Sequence, residues 1–278
     1  MRVLLTGSSG RIGGATCARL RGVHQVIGLD ARPGPATDVV ADILDADAMR
    51  RALRGIDAIV HTAALHAPHV GTHSDADFDA VNVQATGALA QLAVDEGIRR
   101  FVFTSTTALY GAGASPGAPA TWVDEDLAPN PQTIYHRSKL AAEALLETLA
   151  VRHDLAVTVL RISRCFPEAL PLMAVYRLHR GIDARDVADA HALALERSAP
   201  GLRRYVISGA TPFLREDCQQ LGVDAPSVLR RRAPALVQAF AQRNWPLPAS
   251  IDRVYSPARA MRELGWRSQH GFAAVLAG

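Results

Sequence analysis

The chain has 278 residues, enough for one large domain or one and a half, and its 49% hydrophobic and 21% charged residues suit a soluble globular enzyme. The net charge of +3 comes with no basic run interleaved with aromatics; Arg230-Arg231-Arg232 reads as a solvated helix face, which excludes nucleic acid as a partner. Three widely spaced cysteines, Cys17, Cys165 and Cys218, argue for a cytoplasmic, reducing setting without disulfides or a metal, and no apolar run reaches signal-peptide or membrane length.

Residues 2–6 read as a buried strand, followed by Thr6-Gly7-Ser8-Ser9-Gly10-Arg11-Ile12-Gly13-Gly14 and a helix from Ala15 to Leu20. Strand, glycine-rich turn and helix form the setting of a phosphate-cradling loop. Glycines permit the tight turn and close backbone approach, and the helix start offers free N–H groups. The spacing is G-x-x-G-x-x-G. A second strand, 23–29, ends at Asp30, whose carboxylate suits the two hydroxyls of an adenosine ribose and repels a 2′-phosphate. NAD is therefore expected over NADP, although Arg32 stands close by. A third short strand spans 39–43, and Asp42 and Ile43 fall where an adenine ring would lie. Asp45 reads as the N-cap of a helix through Leu53.

Strand four, 58–60, runs into His61-Thr62-Ala63-Ala64, where small residues at a strand's carboxyl end let a cofactor approach. A helix over 78–96 carries Asn82, a residue type that in an apolar helix tends to bond backbone. Strand five, Phe101-Val102-Phe103, ends in Thr104-Ser105-Thr106-Thr107, hydroxyls at the sheet edge where open α/β sheets bind ligands. Beyond a Gly/Ala/Pro-rich loop comes Tyr135-His136-Arg137-Ser138-Lys139. Lys139 is the only lysine among 30 Lys+Arg residues, which marks a place where a planar guanidinium does not serve. Tyr135 and Lys139 share a helical face, and an ammonium beside a phenol lowers a pKa ordinarily about 10, making Tyr135 a candidate acid/base. Strands over 157–161 and 205–208 flank a helix from 182 to about 198. The alternation predicts an α/β fold, a doubly wound Rossmann-type parallel sheet with a small C-terminal substrate-binding part. Residues 1–165 with 182–209 form the expected dinucleotide-binding domain, and 166–181 with 210–278 the substrate part. His66, His69 and His73 cluster after strand four, where one or two of them line a substrate mouth in preference to holding a metal. Cys165 reads as a buried inert thiol.

In order and spacing these motifs resemble the extended short-chain dehydrogenase/reductases, the NAD-dependent epimerase/dehydratase family, over residues 1–210 with a weaker echo at Arg259–Trp266. The resemblance implies that Gly7, Gly10 and Gly13 bind the pyrophosphate, with Ser9, Arg11 and Ile12 on the same loop, and that Asp30 binds the ribose. Asp42, Ile43, Thr62, Ala63, Ala64, Asn82 and Thr104 complete the expected NAD contacts. It implies that Tyr135 is the catalytic base or acid and that Lys139 holds the nicotinamide ribose and keeps the Tyr pKa low. The family's catalytic hydroxyl falls on Thr106 when Tyr110-Gly111 is the anchor, with Ser105 beside it. His66, Ser105, Thr106 and Arg164 are the substrate candidates.

The chain departs from the family pattern at three places. His136 stands where Gly usually follows the Tyr, and Arg164 stands at the position of a substrate-facing Asn. The connection from Pro167 to Asp183 spans only sixteen positions, much shorter than in the nucleotide-sugar enzymes. Arg161-Ile162 with Cys165-Phe166-Pro167 is similar to the uronate dehydrogenases of the family. The expectation is an NAD-dependent oxidoreductase, working as a homodimer on a small sugar, sugar acid or polyol. The alternatives are a nucleotide-sugar epimerase or dehydratase that returns its hydride, and a non-catalytic dinucleotide-binding regulator. Arg164 is the candidate clamp for a substrate carboxylate, while Arg161 either serves the same anion or anchors its strand end.

Overall fold

The computed structural model describes residues 1–115 and 117–277. Nine strands occur among them: β1 (Arg2–Thr6), β2 (Gln25–Asp30), β3 (Val39–Val40), β4 (Ala58–His61), β5 (Arg100–Thr106), β6 (Thr121–Val123), β7 (Ala156–Ile162), β8 (Gly201–Ile207) and β9 (Arg253–Tyr255). Seven form one sheet in the order β3-β2-β1-β4-β5-β7-β8. β1 pairs in parallel with both β2 and β4, so Thr6 lies level with Leu29 on one side and His61 on the other. The winding reverses at β1/β4, and a reversal point opens a crevice at the strands' carboxyl ends. Thr6-Gly7, Asp30 and His61-Thr62 are all carried to that edge.

The chain divides into two compact units: residues 1–109, 131–161 and 187–205, and residues 110–130, 162–186 and 206–278. The segment 110–130, expected in the first domain, therefore groups with the second unit. In unit 1 the core gathers Leu4, Leu29, Met49, Ile59, Phe101, Phe103, Leu146 and Val159 from strands that read as near-continuous apolar runs, as strands covered on both faces must. The expected helix over 78–96 is three pieces in succession: Asp75–Asp79, capped by Ser74, a π-helical turn over Ala80–Gln84, and Ala85–Asp95. The π turn carries Asn82, and such single turns mark functional sites disproportionately. The third strand is only two residues long, because Asp42 turns the chain by accepting from the Leu44 N–H at 3.0 Å.

Unit 2 has its own core, with Phe213, Leu229, Phe240, Val254 and Val275, and its own two-stranded sheet, β6 on β9, in which Trp122 faces Val254. Its hub is Asp186, 0% exposed. The carboxylate accepts from the Ser268 hydroxyl (2.6 Å), the Gln269 and His270 N–H groups (2.9 and 3.0 Å) and His270 Nδ1 (2.7 Å), while the Trp266 indole donates to its carbonyl. This anchor is how the late Gly265-Trp266 punctuation is tied into the fold.

Candidate active site

The glycine loop and the following helix, Arg11–Leu20, are built by three glycines with three different jobs. Gly7 has φ +80°, and a Cβ there would stand 2.6 Å from Ala63 N. A Cβ on Gly13 would be 2.0 Å from the Gly7 carbonyl oxygen, so this glycine lets the helix close on the loop. Gly10, the helix N-cap with no side-chain cap, is different: its added Cβ would meet only the Gly7 oxygen, at 3.2 Å. That cradle, with uncapped helix N–H groups behind it, fits a pyrophosphate. Arg11 is exposed and Ile12 half-buried on the same turn.

Asp30 closes β2. Its two oxygens accept from the Ser9 and Arg32 N–H groups, both at 3.0 Å, and each keeps a second lone pair for a ribose hydroxyl. Ser9 is tied into the loop. Its N–H goes to Asp30, and its hydroxyl is engaged by the Arg32 carbonyl (2.6 Å) and Thr37 (2.7 Å), so it braces the loop. Ile43 is likewise in the core at 9% exposure, leaving Asp42 as the exposed member of the pair. Thr62 donates to the Thr6 carbonyl at 2.7 Å, holding Ala63 and Ala64, both half-buried, at the carboxyl edge.

His61 connects this loop, through Thr86 and Asn82, to the helix that carries Tyr135. Thr86 Oγ1 donates to the Asn82 carbonyl (2.8 Å), so His61 Nε2 donates to Thr86 (2.9 Å) and Nδ1 accepts from Thr6 Oγ1 (2.6 Å). Burial, reinforced by the Lys139 charge, lowers its pKa to about 3 and fixes the neutral ring. Asn82, 1% exposed, accepts from Leu65 N–H (2.8 Å) and donates to Leu65 O and Ser138 Oγ (both 2.9 Å). Ser138 in turn donates to the Tyr135 carbonyl. The backbone role expected of Asn82 is thus present, together with a link to Ser138 that the sequence did not signal.

Tyr135 opens the Ile134–His153 helix, whose N-cap is Thr133. Its phenol is hydrogen-bonded to the Thr106 side chain. Burial pushes the phenol pKa up, and only the Thr106 bond draws it back. Lys139, 3% exposed, lays its Nζ 4.2 Å over the Phe103 ring, and burial brings it down to about 7, with Glu143 as the opposing influence. The neighbouring hydroxyls divide cleanly. Ser105 donates to Glu143 at 2.6 Å, while Thr106 stays with Tyr135. Thr104 is tied inward: His191 Nδ1 donates to the Val187 carbonyl, so Nε2 accepts from Thr104 at 2.7 Å. His136, in place of the family's Gly, accepts the Gln132 N–H at 3.1 Å through Nδ1 and so helps cap the helix.

Among the substrate candidates, His66 lies within reach of the Lys139 charge. Burial first, then His69, Lys139 and Arg32, lower its pKa, and its ring lies 4.5 Å from that of His69, tilted by 42°. Arg164 belongs to unit 2, is exposed, and forms an ion pair with Glu168. Arg161 belongs to unit 1 and is the structural anchor, paired with Glu143 at 2.7 Å. Cys165 is buried and in no disulfide.

A family model described as "NAD dependent epimerase/dehydratase family" matches residues 3–169. An L-arabinose 1-dehydrogenase (NAD(P)(+)) of Haloferax volcanii is 28% identical, covering 99% of both chains. A 2-alkyl-3-oxoalkanoate reductase of Stenotrophomonas maltophilia is 30% identical, covering 89% of this chain and 84% of the relative. Among solved structures, a dTDP-glucose 4,6-dehydratase of Streptomyces venezuelae with NAD bound has 26% identity and a TM-score of 0.71, covering 100% of this chain and 95% of the other. A short-chain dehydrogenase/reductase superfamily protein of Agrobacterium tumefaciens with bound NAD shares the fold at TM-score 0.74 and 22% identity, with 100% and 95% covered.

Proposed function

The chain belongs to the NAD-dependent epimerase/dehydratase family, and from that premise we propose that it oxidises a small uncharged sugar at a hydroxyl-bearing carbon, with Tyr135 as acid/base and Thr106 as its partner hydroxyl. The observation that carries this reading is the Thr106–Tyr135 hydrogen bond, with Lys139 one turn along the same helix and Ser105 committed elsewhere. Gly7, Gly10, Asp30 and Lys139 fit NAD: an open cradle at an uncapped helix start, a carboxylate with free lone pairs, and a buried amine one turn after Tyr135 on the same helix. NAD, when bound, supplies the hydride acceptor.

The chain's own residues handle the proton. Thr106 donates to the substrate oxygen, and Tyr135 as phenolate takes the hydroxyl proton while the carbon–hydrogen bond gives up its electron pair as hydride and a carbonyl forms. Positioned proton transfer of this kind contributes roughly 10²–10⁴-fold. The raised phenol pKa makes Tyr135 a proton donor at neutral pH, so oxidation gains as the medium becomes alkaline.

The ion pair of Arg164 with Glu168 offsets that guanidinium's charge, which favours an uncharged sugar over a sugar acid. The arabinose dehydrogenase relative and the short Pro167–Asp183 connection support a small free sugar over a nucleotide sugar. The same reading includes a cytoplasmic homodimer. Sedimentation of the wild-type protein tests the dimer. For the chemistry, Tyr135→Phe should keep NAD binding in a fluorescence titration and lose turnover by at least about 10²-fold. Near-wild-type turnover would overturn the assignment.

A further inference from the structure

Glu143 is the one fully buried carboxylate in unit 1, and it lies one helical turn beyond Lys139, at i+4. Its Oε1 accepts from Ser105 Oγ (2.6 Å) on β5 and from Arg161 Nε (3.1 Å) on β7. Its Oε2 accepts from Arg161 Nη2 (2.7 Å) and from Arg204 Nε (3.2 Å) on β8. Arg204 also reaches Glu147 at 2.8 Å, so the outer cation leans toward solvent and the inner carboxylate is left chiefly to Arg161. A buried charge of this kind is costly unless paired, and replacing such a group by apolar residues is often neutral for stability. Its presence one turn from the only lysine of the chain calls for more than a packing explanation.

We propose that Glu143 is a positioning residue of the active site: one carboxylate ties the end of β5 through Ser105, which aims Thr106 at Tyr135, and supplies the counter-charge that keeps Lys139 an ammonium. The inference rests on the reading of Tyr135, Thr106 and Lys139 as the acting groups. Lys139 makes no ion pair within 4 Å among the described residues; its head group lies over Phe103, so Glu143 acts on it through space. The other titratable and charged groups around the ammonium are His61 and His66, both held toward the neutral form, the Tyr135 phenol, and the Arg161 and Arg204 cations behind Glu143. None of these is an anion at neutral pH. Burial alone would strip the proton from the lysine, and Glu143 is what opposes it.

Because Lys139 is the only lysine, protein grown on ¹³C-lysine gives a single side-chain signal that needs no assignment, and its titration is read without any turnover. Glu143→Gln keeps an acceptor for Ser105 and removes the charge. It should move the Lys139 titration to lower pH by about one unit, and the alkaline limb of kcat should move with it. If loss of the charge leaves Arg161 too exposed for the variant to fold, Arg204→Gln is the second measurement. Arg204 is half-buried, and removing it leaves Glu143 less shared, so the lysine titration should move to higher pH. Ser105→Ala should leave the lysine titration in place, leave NAD affinity unchanged and lower kcat by about tenfold. A lysine titration unmoved in folded Glu143→Gln, or unmoved in Arg204→Gln when the first variant does not fold, overturns the electrostatic half. Wild-type kcat in Ser105→Ala overturns the strand half. These outcomes stand apart from the Tyr135→Phe test, since the lysine signal reports on Glu143 even if Tyr135 proves dispensable.

Discussion

Two adjacent hydroxyls on β5 show what a single residue decides. Thr106 is bonded to the Tyr135 phenol, and its bond is the one influence lowering a pKa that burial raises. Thr106→Val removes that influence. The phenolate is the form that accepts the substrate proton, so the rise of the oxidation rate with pH should shift to higher pH and kcat at neutral pH should fall. A kcat–pH profile superimposable on the wild type would remove Thr106 from the mechanism. The sequence nominated Ser105 and Thr106 together and could not separate them, because neighbours on a strand point to opposite faces and only tertiary partners say which face is which. Glu143, 38 residues from Ser105, is the partner that takes up the Ser105 hydroxyl. The partners of the Thr104 and Ser9 hydroxyls were hidden for the same reason: His191 and the Arg32 carbonyl lie 87 and 23 residues away. Tyr135, Lys139 and Asp30 stood out as candidates because local spacing alone singles them out.

At the scale of an element, the Arg11–Leu20 helix and its loop separate a folding glycine from a binding one. Gly13→Ala would drive a methyl to 2.0 Å from the Gly7 oxygen and force the helix off the loop. Gly10→Ala meets that same atom at 3.2 Å, which a small shift relieves, yet the methyl then stands in the cradle in front of the helix start. Gly10→Ala should therefore melt close to the wild type and bind NAD more weakly, as thermal melting and cofactor titration would show; wild-type NAD affinity would place the pyrophosphate elsewhere. Elements of strong period were readable, including β1, β2, β5 and the long Tyr135 helix. The π turn at Asn82 was not, since its cause is a set of bonds to Leu65 and Ser138 that no local pattern encodes. β6 was missed because three residues beside a Gly/Ala/Pro-rich loop gain strand geometry only from β9, far along the chain.

Across the whole molecule, three histidines are buried as neutral rings, His61 and His179 with pKa values lowered to about 3 and His191 to about 4, burial being the first cause in each. In the unfolded chain a histidine titrates near 6.5. Below that pH the unfolded state binds protons that the folded state refuses, so stability is lost as pH falls from 6.5 toward the folded values. By pH 5 each ring accounts for about 2 kcal/mol. Both units carry such a ring, so the melting temperature should drop steeply between pH 6.5 and 5; a flat profile over that range would mean the rings are not held neutral. The functional account itself comes down to whether hydride leaves the substrate for good. Wild-type protein incubated with excess NAD and L-arabinose or another small free aldose should form NADH in a one-to-one ratio with sugar oxidised, and nucleotide sugars should give none. A nucleotide sugar converted without NADH accumulating, with free sugars left untouched, would contradict the account.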